Sequence, residues 1–256
     1  MTKRNSIIDI VTHEDCYVAF LDILGFKEVV ENNSHKQLQL FYESIENYVF
    51  NDFDSFGHLK NDIIDSNISC YFISDSIFLW SNDKSNTSYL HLAVLVKRIM
   101  VGGFMADLPL RGGIASGALT IKKTALGNTL FGKGLTNAYL LENKQEWSGC
   151  IIEQGIIDAV IHKNDECAQY IQNTPIFVKY NVPLKKGLNE NYWTLNWPLI
   201  LVRDNEELRK MFEEKGKKTN NETVLIKIKN TIDFYNDCIS KHGDFREEYI
   251  LNRSNK

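Results

Sequence analysis

The first strongly patterned stretch, Cys16 to Leu21 (CYVAFL), is apolar without interruption, and an acid, Asp22, follows it at once. A continuous apolar run is what burial on both faces selects, so these residues predict a central strand ending in a carboxylate. Cys70 to Ser81 (CYFISDSIFLWS) divides into two short apolar strands around Ser74-Asp75-Ser76, a hairpin that again presents one acid. Between the two, Ser34 to Phe50 places Leu38, Phe41, Tyr42, Ile45 and Val49 at helical spacing with Ser34 as N-cap, while the polar, acidic stretch Asn51 to Asp65 reads as a loop. Asn86 to Phe104 carries the next helical pattern and meets Gly102-Gly103, which predicts a glycine stop. A glycine-bearing strand follows from Leu110 to Ile121. Strand, helix, hairpin, helix, strand is the ferredoxin-like βαββαβ order, so the chain is expected to be α/β (α+β).

Further on, residues 134–146 predict a helix, Cys150 to Ile152 a short strand and Gln154 to His162 a short helix. Pro175 to Pro198 alternates aromatic and β-branched residues around Lys185-Lys186-Gly187, which predicts a β-hairpin. The tail from Asp204 to Leu251 holds two amphipathic helical patterns separated by the polar stretch Glu213 to Asn221. The expected organisation is a lead-in over 1–15, a main domain over 16–200 and a helical extension over 201–256.

Composition narrows the partners. With 256 residues and 43% hydrophobic content the chain can bury a full core. A net charge of −4 offers no broad attraction to nucleic acid or an anionic membrane, so neither is expected as a partner. No uninterrupted run of 18 apolar residues occurs, and the N-terminus lacks the apolar core and cleavage site of a signal peptide, which points to the cytoplasm. The five cysteines, Cys16, Cys70, Cys150, Cys167 and Cys238, are odd in number and have no C-x-x-C spacing; they read as reduced structural thiols.

The candidate chemistry lies in the two strand-end acids. An acid at the end of a buried strand loses hydration, so Asp22 should face a cleft where a cation or hydrogen-bond donors offset that loss. Asp75 alone fits an ordinary turn former. If the two strands are neighbours, however, both carboxylates reach one site, and hard oxygen ligands are what Mg²⁺ or Mn²⁺ prefers. Other chemistries lack an anchor. Gly127 to Gly134 nearly spells a phosphate-binding loop but has Gly134 where a hydroxyl is needed. Leu24 stands where a D-x-D phosphotransfer motif needs its second acid, the six histidines are scattered, and no G-x-S-x-G occurs.

Phe20-Leu21-Asp22-Ile23-Leu24-Gly25-Phe26, Ser74-Asp75-Ser76 and Arg111-Gly112-Gly113-Ile114-Ala115-Ser116-Gly117 resemble the F-x-D-I-x-G-F strand, the Asp-bearing hairpin and the R-x-G-I-x-x-G strand of the class III nucleotidyl cyclase catalytic domain. The likeness covers roughly residues 16–155 and is nearest to the pyrimidine cyclases of the Pycsar antiphage systems. It implies conversion of a nucleoside triphosphate to a 3′,5′-cyclic monophosphate and pyrophosphate in a homodimer, with a separate effector reading the product. It further implies two Mn²⁺ or Mg²⁺ ions on Asp22, Asp75 and the Ile23 carbonyl, phosphates cradled by the backbone of Leu24, Gly25 and Phe26, and a phosphate-binding lysine at Lys186. Lys185 and Lys186 equally fit a solvated surface pair. Arg111 either faces the cleft as a catalytic cation or pairs with an acid. The rival expectation is a cyclase-fold module that binds nucleotide or a partner without turnover.

Departures from the family pattern sharpen both readings. The ribose-orienting Asn and the transition-state Arg of the family fall on Thr136 and Leu140, and Lys27 replaces a common Thr. Loss of a preorganised cation of that kind removes on the order of a hundredfold in rate unless another group replaces it. The positions that recognise purines fall on Tyr71 and Thr129, and neither purine code is present. A Tyr/Thr pair fits a pyrimidine edge, which favours UTP or CTP, although Tyr71 also fits simple hairpin packing.

Overall fold

The structure is a computed structural model that describes residues 9–51, 67–125 and 127–254. Strand β1 (Asp9–Ile23) is central and leads through the short helix α1 (Phe26–Asn32) to α2 (His35–Asn51). The hairpin β2 (Ile68–Ile73) and β3 (Ser76–Ser81) is followed by α3 (Asn86–Met105) and the long strand β4 (Leu110–Thr124). These strands lie in the order β2-β3-β1-β4, antiparallel at every step, which is the βαββαβ arrangement expected from the sequence. The loop expected over Asn51 to Asp65 lies outside the described residues beyond Asn51, as does the lead-in before Asp9. Residues 9–15 are not a lead-in: they extend β1 and pair with β4, with a register shift between His13 and Cys16.

Strand β5 (Gly127–Phe131) folds back on the far half of β4, over the stretch that nearly spelled a phosphate loop. Helix α4 (Lys133–Asn143) leads to β6 (Cys150–Ile152), which joins β4 in parallel; then come α5 (Ile156–His162) and α6 (Glu166–Asn173). The hairpin β7 (Phe177–Val182) and β8 (Glu190–Leu195) completes an eight-stranded sheet in the order β2-β3-β1-β4-β6-β8-β7, with β5 paired to β4. A 3-10 turn at Trp197–Ile200 precedes α7 (Asn205–Glu213) and α8 (Glu222–Ser254). The last two helices pack on the core: Phe212 of α7 meets Phe104 edge-on at 6.2 Å, and Phe234 of α8 meets Trp147 edge-on at 4.5 Å.

Alternation along β1 explains why its apolar run is continuous. Tyr17, Ala19, Leu21 and Ile23 join the main core with α2 and α3, while Cys16, Val18 and Phe20 join a smaller core with Trp80, Ala115, Leu119 and Ala138. Asp22, next after Phe20 on that second side, comes out on the face that α4 covers. Ser34 caps α2 as expected: its Oγ accepts the Gln37 N–H at 3.4 Å, while Gln37 Oε1 accepts the Ser34 N–H at 2.8 Å.

One helix boundary differs from expectation. Gly102 and Gly103 do not stop α3, which runs on to Met105. A side chain on Gly103 would fall 2.6 Å from the Leu108 carbonyl, so the glycine serves the close turn into β4. By length and composition α3 could cross a membrane, but 89% of that stretch is buried inside the fold, where its apolarity serves the core. All five cysteines are free thiols.

Candidate active site

The end of β1 ties three elements together. Asp22 stands opposite Ser76 of β3 on one side and Arg111 of β4 on the other. Beyond it, the Ile23 N–H donates to the Asp75 carbonyl at 2.9 Å and the Leu24 N–H donates to the Pro109 carbonyl at 2.9 Å. The hairpin turn is thereby fixed beside the strand end. Ser74 takes a left-handed φ of 55° there, and the Tyr42 hydroxyl of α2 donates to its carbonyl. The half-buried Asp22 carboxyl is pushed up to about 7 by burial, then by the charges of Glu142 and Asp75, with Arg111 and Lys185 pulling the other way. The same Asp75 charge adds to burial in raising the Tyr42 phenol to about 12. Adjacent strands thus bring the two sequence-predicted acids into one electrostatic unit, and a bound cation would restore the charge that burial and neighbouring acids disfavour.

Arg111 does not face an open cleft. Its guanidinium is buried, with Nε 2.5 Å from Glu142 Oε1 and NH1 donating to the Gln145 carbonyl at 3.1 Å. Of the two roles left open by the sequence, the structure selects the ion pair. The partner is set by backbone proximity: a side chain on Gly113 would lie 2.5 Å from the Ala138 carbonyl, so only glycine lets α4 come close enough for Glu142 to reach Arg111. Burial raises the Glu142 carboxyl, with Arg111 opposing.

The remaining candidates divide. Lys185 and Lys186 are both exposed in the loop between β7 and β8, but it is Lys185 that acts electrostatically on Asp22 and Glu142. A bridge between Gln145 and Leu184 and a bond from the Lys185 N–H to the Lys144 carbonyl (2.9 Å) hold it there, and its ammonium donates to Asn143 Oδ1 at 2.8 Å. Leu24 cannot offer its amide to a phosphate, because Pro109 already accepts it. Gly25 turns with φ 74°, and Phe26 opens α1 with its ring 6.2 Å from Tyr42. Thr136 is exposed on α4, its hydroxyl donating to the Gly132 carbonyl at 3.1 Å.

Two residues from Asp22 along the same sheet face lies a cavity of about 400 Å³, lined by Tyr71, Phe72, Ile73, Phe78, Asn128, Leu130 and Leu135. Tyr71 lines it, and its ring also packs on Trp80 at 5.2 Å, the hairpin packing that the sequence allowed. Thr129 does not belong. Strand alternation sends it away from this lining, and Asn128 enters instead, its amide 3.4 Å from the Tyr71 hydroxyl. The floor beside it is aromatic, with Phe20 5.2 Å from Phe78 and 5.4 Å from Tyr139.

Among the described residues no three His, Cys, Asp or Glu side chains converge as a ready-made metal cage. Two carboxylates, one at the end of β1 and one in the adjacent hairpin turn, nevertheless suit a hard divalent cation whose other positions are filled by water or phosphate oxygens.

No family model and no curated protein matches the chain. Solved structures similar to it include the dimeric guanylyl cyclase domain of the RhoGC fusion protein from Blastocladiella emersonii (16% identity, 72% of this chain and 98% of that one, TM-score 0.47). An adenylate/guanylate cyclase/hydrolase from Silicibacter pomeroyi is 12% identical over 73% of this chain and 98% of its own, with a TM-score of 0.42. A class III adenylyl cyclase-like ATP-binding protein from Pseudomonas aeruginosa is 15% identical over 59% of this chain and 35% of its own, with a TM-score of 0.41.

Proposed function

We propose that the protein is a nucleotidyl cyclase that closes a nucleoside triphosphate to its 3′,5′-cyclic monophosphate and releases pyrophosphate. The observation that carries this reading is the Asp22 carboxyl at the end of β1, raised to about 7 in part by the charge of Asp75, whose turn the Ile23 N–H fixes beside it. In the reaction the ribose 3′-oxygen bonds to the α-phosphorus as the bond to the pyrophosphate oxygen breaks, and the hydroxyl proton leaves to water. Two Mn²⁺ or Mg²⁺ ions, held by Asp22, Asp75 and the Ile23 carbonyl, would make that hydroxyl more acidic and stabilise the leaving group. The protein's own part is to hold the two acids side by side and to shield them on the α4 face. It also keeps Lys185 near the charge that develops, while Arg111, tied to Glu142, holds α4 in place.

The cavity at Tyr71 and Asn128 is the place for the base, and the Tyr71 hydroxyl and Asn128 amide in its lining can meet a pyrimidine edge, which supports UTP or CTP as the triphosphate. Ile73, Phe131, Tyr139 and Leu140 are exposed apolar residues on elements around the site and support a homodimer. In this reading the enzyme works in the cytoplasm in antiphage defence, and a separate effector reads the cyclic nucleotide.

The deciding experiment offers all four triphosphates with Mn²⁺ and follows the products by mass spectrometry. A cyclic pyrimidine nucleotide is expected. Nucleotide binding without any cyclic product would instead support a binding module, a reading favoured by the commitment of Arg111 to Glu142. Light scattering should report about twice the 29.5 kDa chain mass, and an active monomer would overturn the dimer.

A further inference from the structure

Lys97 lies in the middle of α3, a helix buried along nearly its whole length. Only 8% of the residue is exposed, and among the described residues no hydrogen bond or ion pair meets its ammonium. Arg98 beside it is different: its Nε and NH2 donate to the carbonyls of Val49 (3.3 Å) and Tyr48 (3.0 Å). Lys97 instead lines, together with Arg98, a cavity of about 120 Å³ whose other walls include Val94, Tyr170, Pro175, Ile176, Leu199 and Ile200. Among the described residues its lining contains no acid, and the Thr174 hydroxyl is turned to the Tyr170 carbonyl at 2.7 Å. The ionisable neighbour that touches its charge is Cys238, whose thiol burial keeps protonated.

A buried cation without a counter-ion is costly, and proteins ordinarily pair it or discharge it. Burial does lower the Lys97 pKa to about 8, which leaves the ammonium charged at neutral pH. An occupant therefore has to bring negative charge and an apolar body. The walls besides Lys97 and Arg98 are mostly apolar, so a carboxylate on an apolar body fits better than a compact, strongly hydrated phosphate. Size points the same way, since a dry apolar cavity of roughly 150 Å³ accommodates a benzene ring. An outlet exists: Thr174, Pro175 and Phe245 also line a neighbouring groove of about 610 Å³ between β7 and α8.

We propose that this cavity, on the side of the fold away from Asp22 and Asp75, is a binding site for a small apolar monocarboxylate whose charge pairs with Lys97. The proposal stands apart from the catalytic reading, because it uses none of the residues of that site.

Benzoate and benzamide share shape and differ in charge, which makes them suitable probes. Calorimetric titration of the full chain at pH 7 should show saturable benzoate binding, with benzamide at least tenfold weaker, and benzoate should raise the melting temperature. Lys97→Met should weaken benzoate at least tenfold and leave benzamide unchanged. Its melting curve verifies that the variant is folded, and Lys97→Arg, which retains the charge, should retain part of the benzoate affinity. Equal affinity for the two probes, benzoate binding untouched by Lys97→Met, or inorganic phosphate bound as tightly as benzoate would each overturn the assignment.

Discussion

Arg111 lies directly across the sheet from Asp22, yet its guanidinium turns to Glu142, with Nε 2.5 Å from the carboxylate oxygen. Both partners are buried, so the pair is a structural joint between β4 and α4 as well as the electrostatic wall of the site. Glu142 raises the Asp22 carboxyl and Arg111 lowers it. The pair therefore fixes how readily Asp22 carries its charge without being an open cation for substrate.

Breaking such a pair one side at a time leaves a buried charge alone. Arg111→Met and Glu142→Met should each destabilise the protein by about 3–5 kcal/mol, whereas the double substitution should cost much less than the sum. Urea denaturation of the four proteins measures this directly. Additive losses would show that the two side chains act independently.

Asp22→Asn and Asp75→Asn should each lower cyclase turnover by roughly a hundredfold or more, since each removes a carboxylate that would hold a metal ion at the reacting phosphate. Neither carboxylate holds the core together, so circular dichroism should stay unchanged. Near-normal turnover in either variant would remove the two-acid assignment.

Much of this arrangement was legible in the chain. The uninterrupted run at Cys16–Leu21 and the Asp75 hairpin are local patterns, and local patterns set strands and turns. Three features were not legible because they depend on distance in space. Glu142 becomes the Arg111 partner only when Gly113 lets α4 approach the sheet. Lys185 rather than Lys186 faces the acids because the Gln145–Leu184 bridge fixes the hairpin loop, and a one-residue step in a loop carries no periodic signal. Helix α6 escaped because eight residues give barely two turns of pattern; its Asp165 cap, accepting the Ala168 N–H at 2.9 Å, was the available signal.

Gly25 offers a test of the turn that follows Asp22. Its φ of 74° disfavours any side chain, and an added Cβ would lie 3.1 Å from Lys217 Cδ. Lys217 has little room to yield, since its ammonium donates to the carbonyls of Asp107 (2.6 Å) and Met211 (2.7 Å). Gly25→Ala should destabilise by about 1–2 kcal/mol in urea denaturation and raise KM for the triphosphate. An unchanged midpoint would mean that the turn tolerates a side chain.

Lys97 makes a prediction in pH. Burial lowers its pKa from 10.5 to about 8, so below pH 8 both folded and unfolded chains hold the proton and the full penalty is present. Between about 8 and 10.5 the unfolded chain binds more protons, and this group's contribution to stability rises with pH. Lys97→Met should therefore be more stable than the parent at pH 7 by on the order of 3 kcal/mol, an advantage that declines toward pH 10. Melting both proteins across that range checks it, and a constant difference would contradict the buried charge.

The proposed base pocket takes in Asn128 in place of Thr129, the residue expected from the sequence. Asn128 lies in the Tyr71 cavity with its amide 3.4 Å from the phenol, while Thr129 faces away from it. Both an amide and a hydroxyl can read a pyrimidine edge, so position decides between them. Because a polar site rejects the wrong ligand by leaving its own groups unpaired, Asn128→Ala should lower kcat/KM for the preferred pyrimidine triphosphate about tenfold or more. The same change should narrow the gap to ATP and GTP. Tyr71→Phe should act in the same direction and more weakly, since the ring that packs on Trp80 is kept. Thr129→Ala should leave the ratio among the four triphosphates unchanged. Competing all four in one Mn²⁺ reaction reads every variant at once, and a specificity that moves with Thr129 instead of Asn128 would relocate the base to the other side of β5.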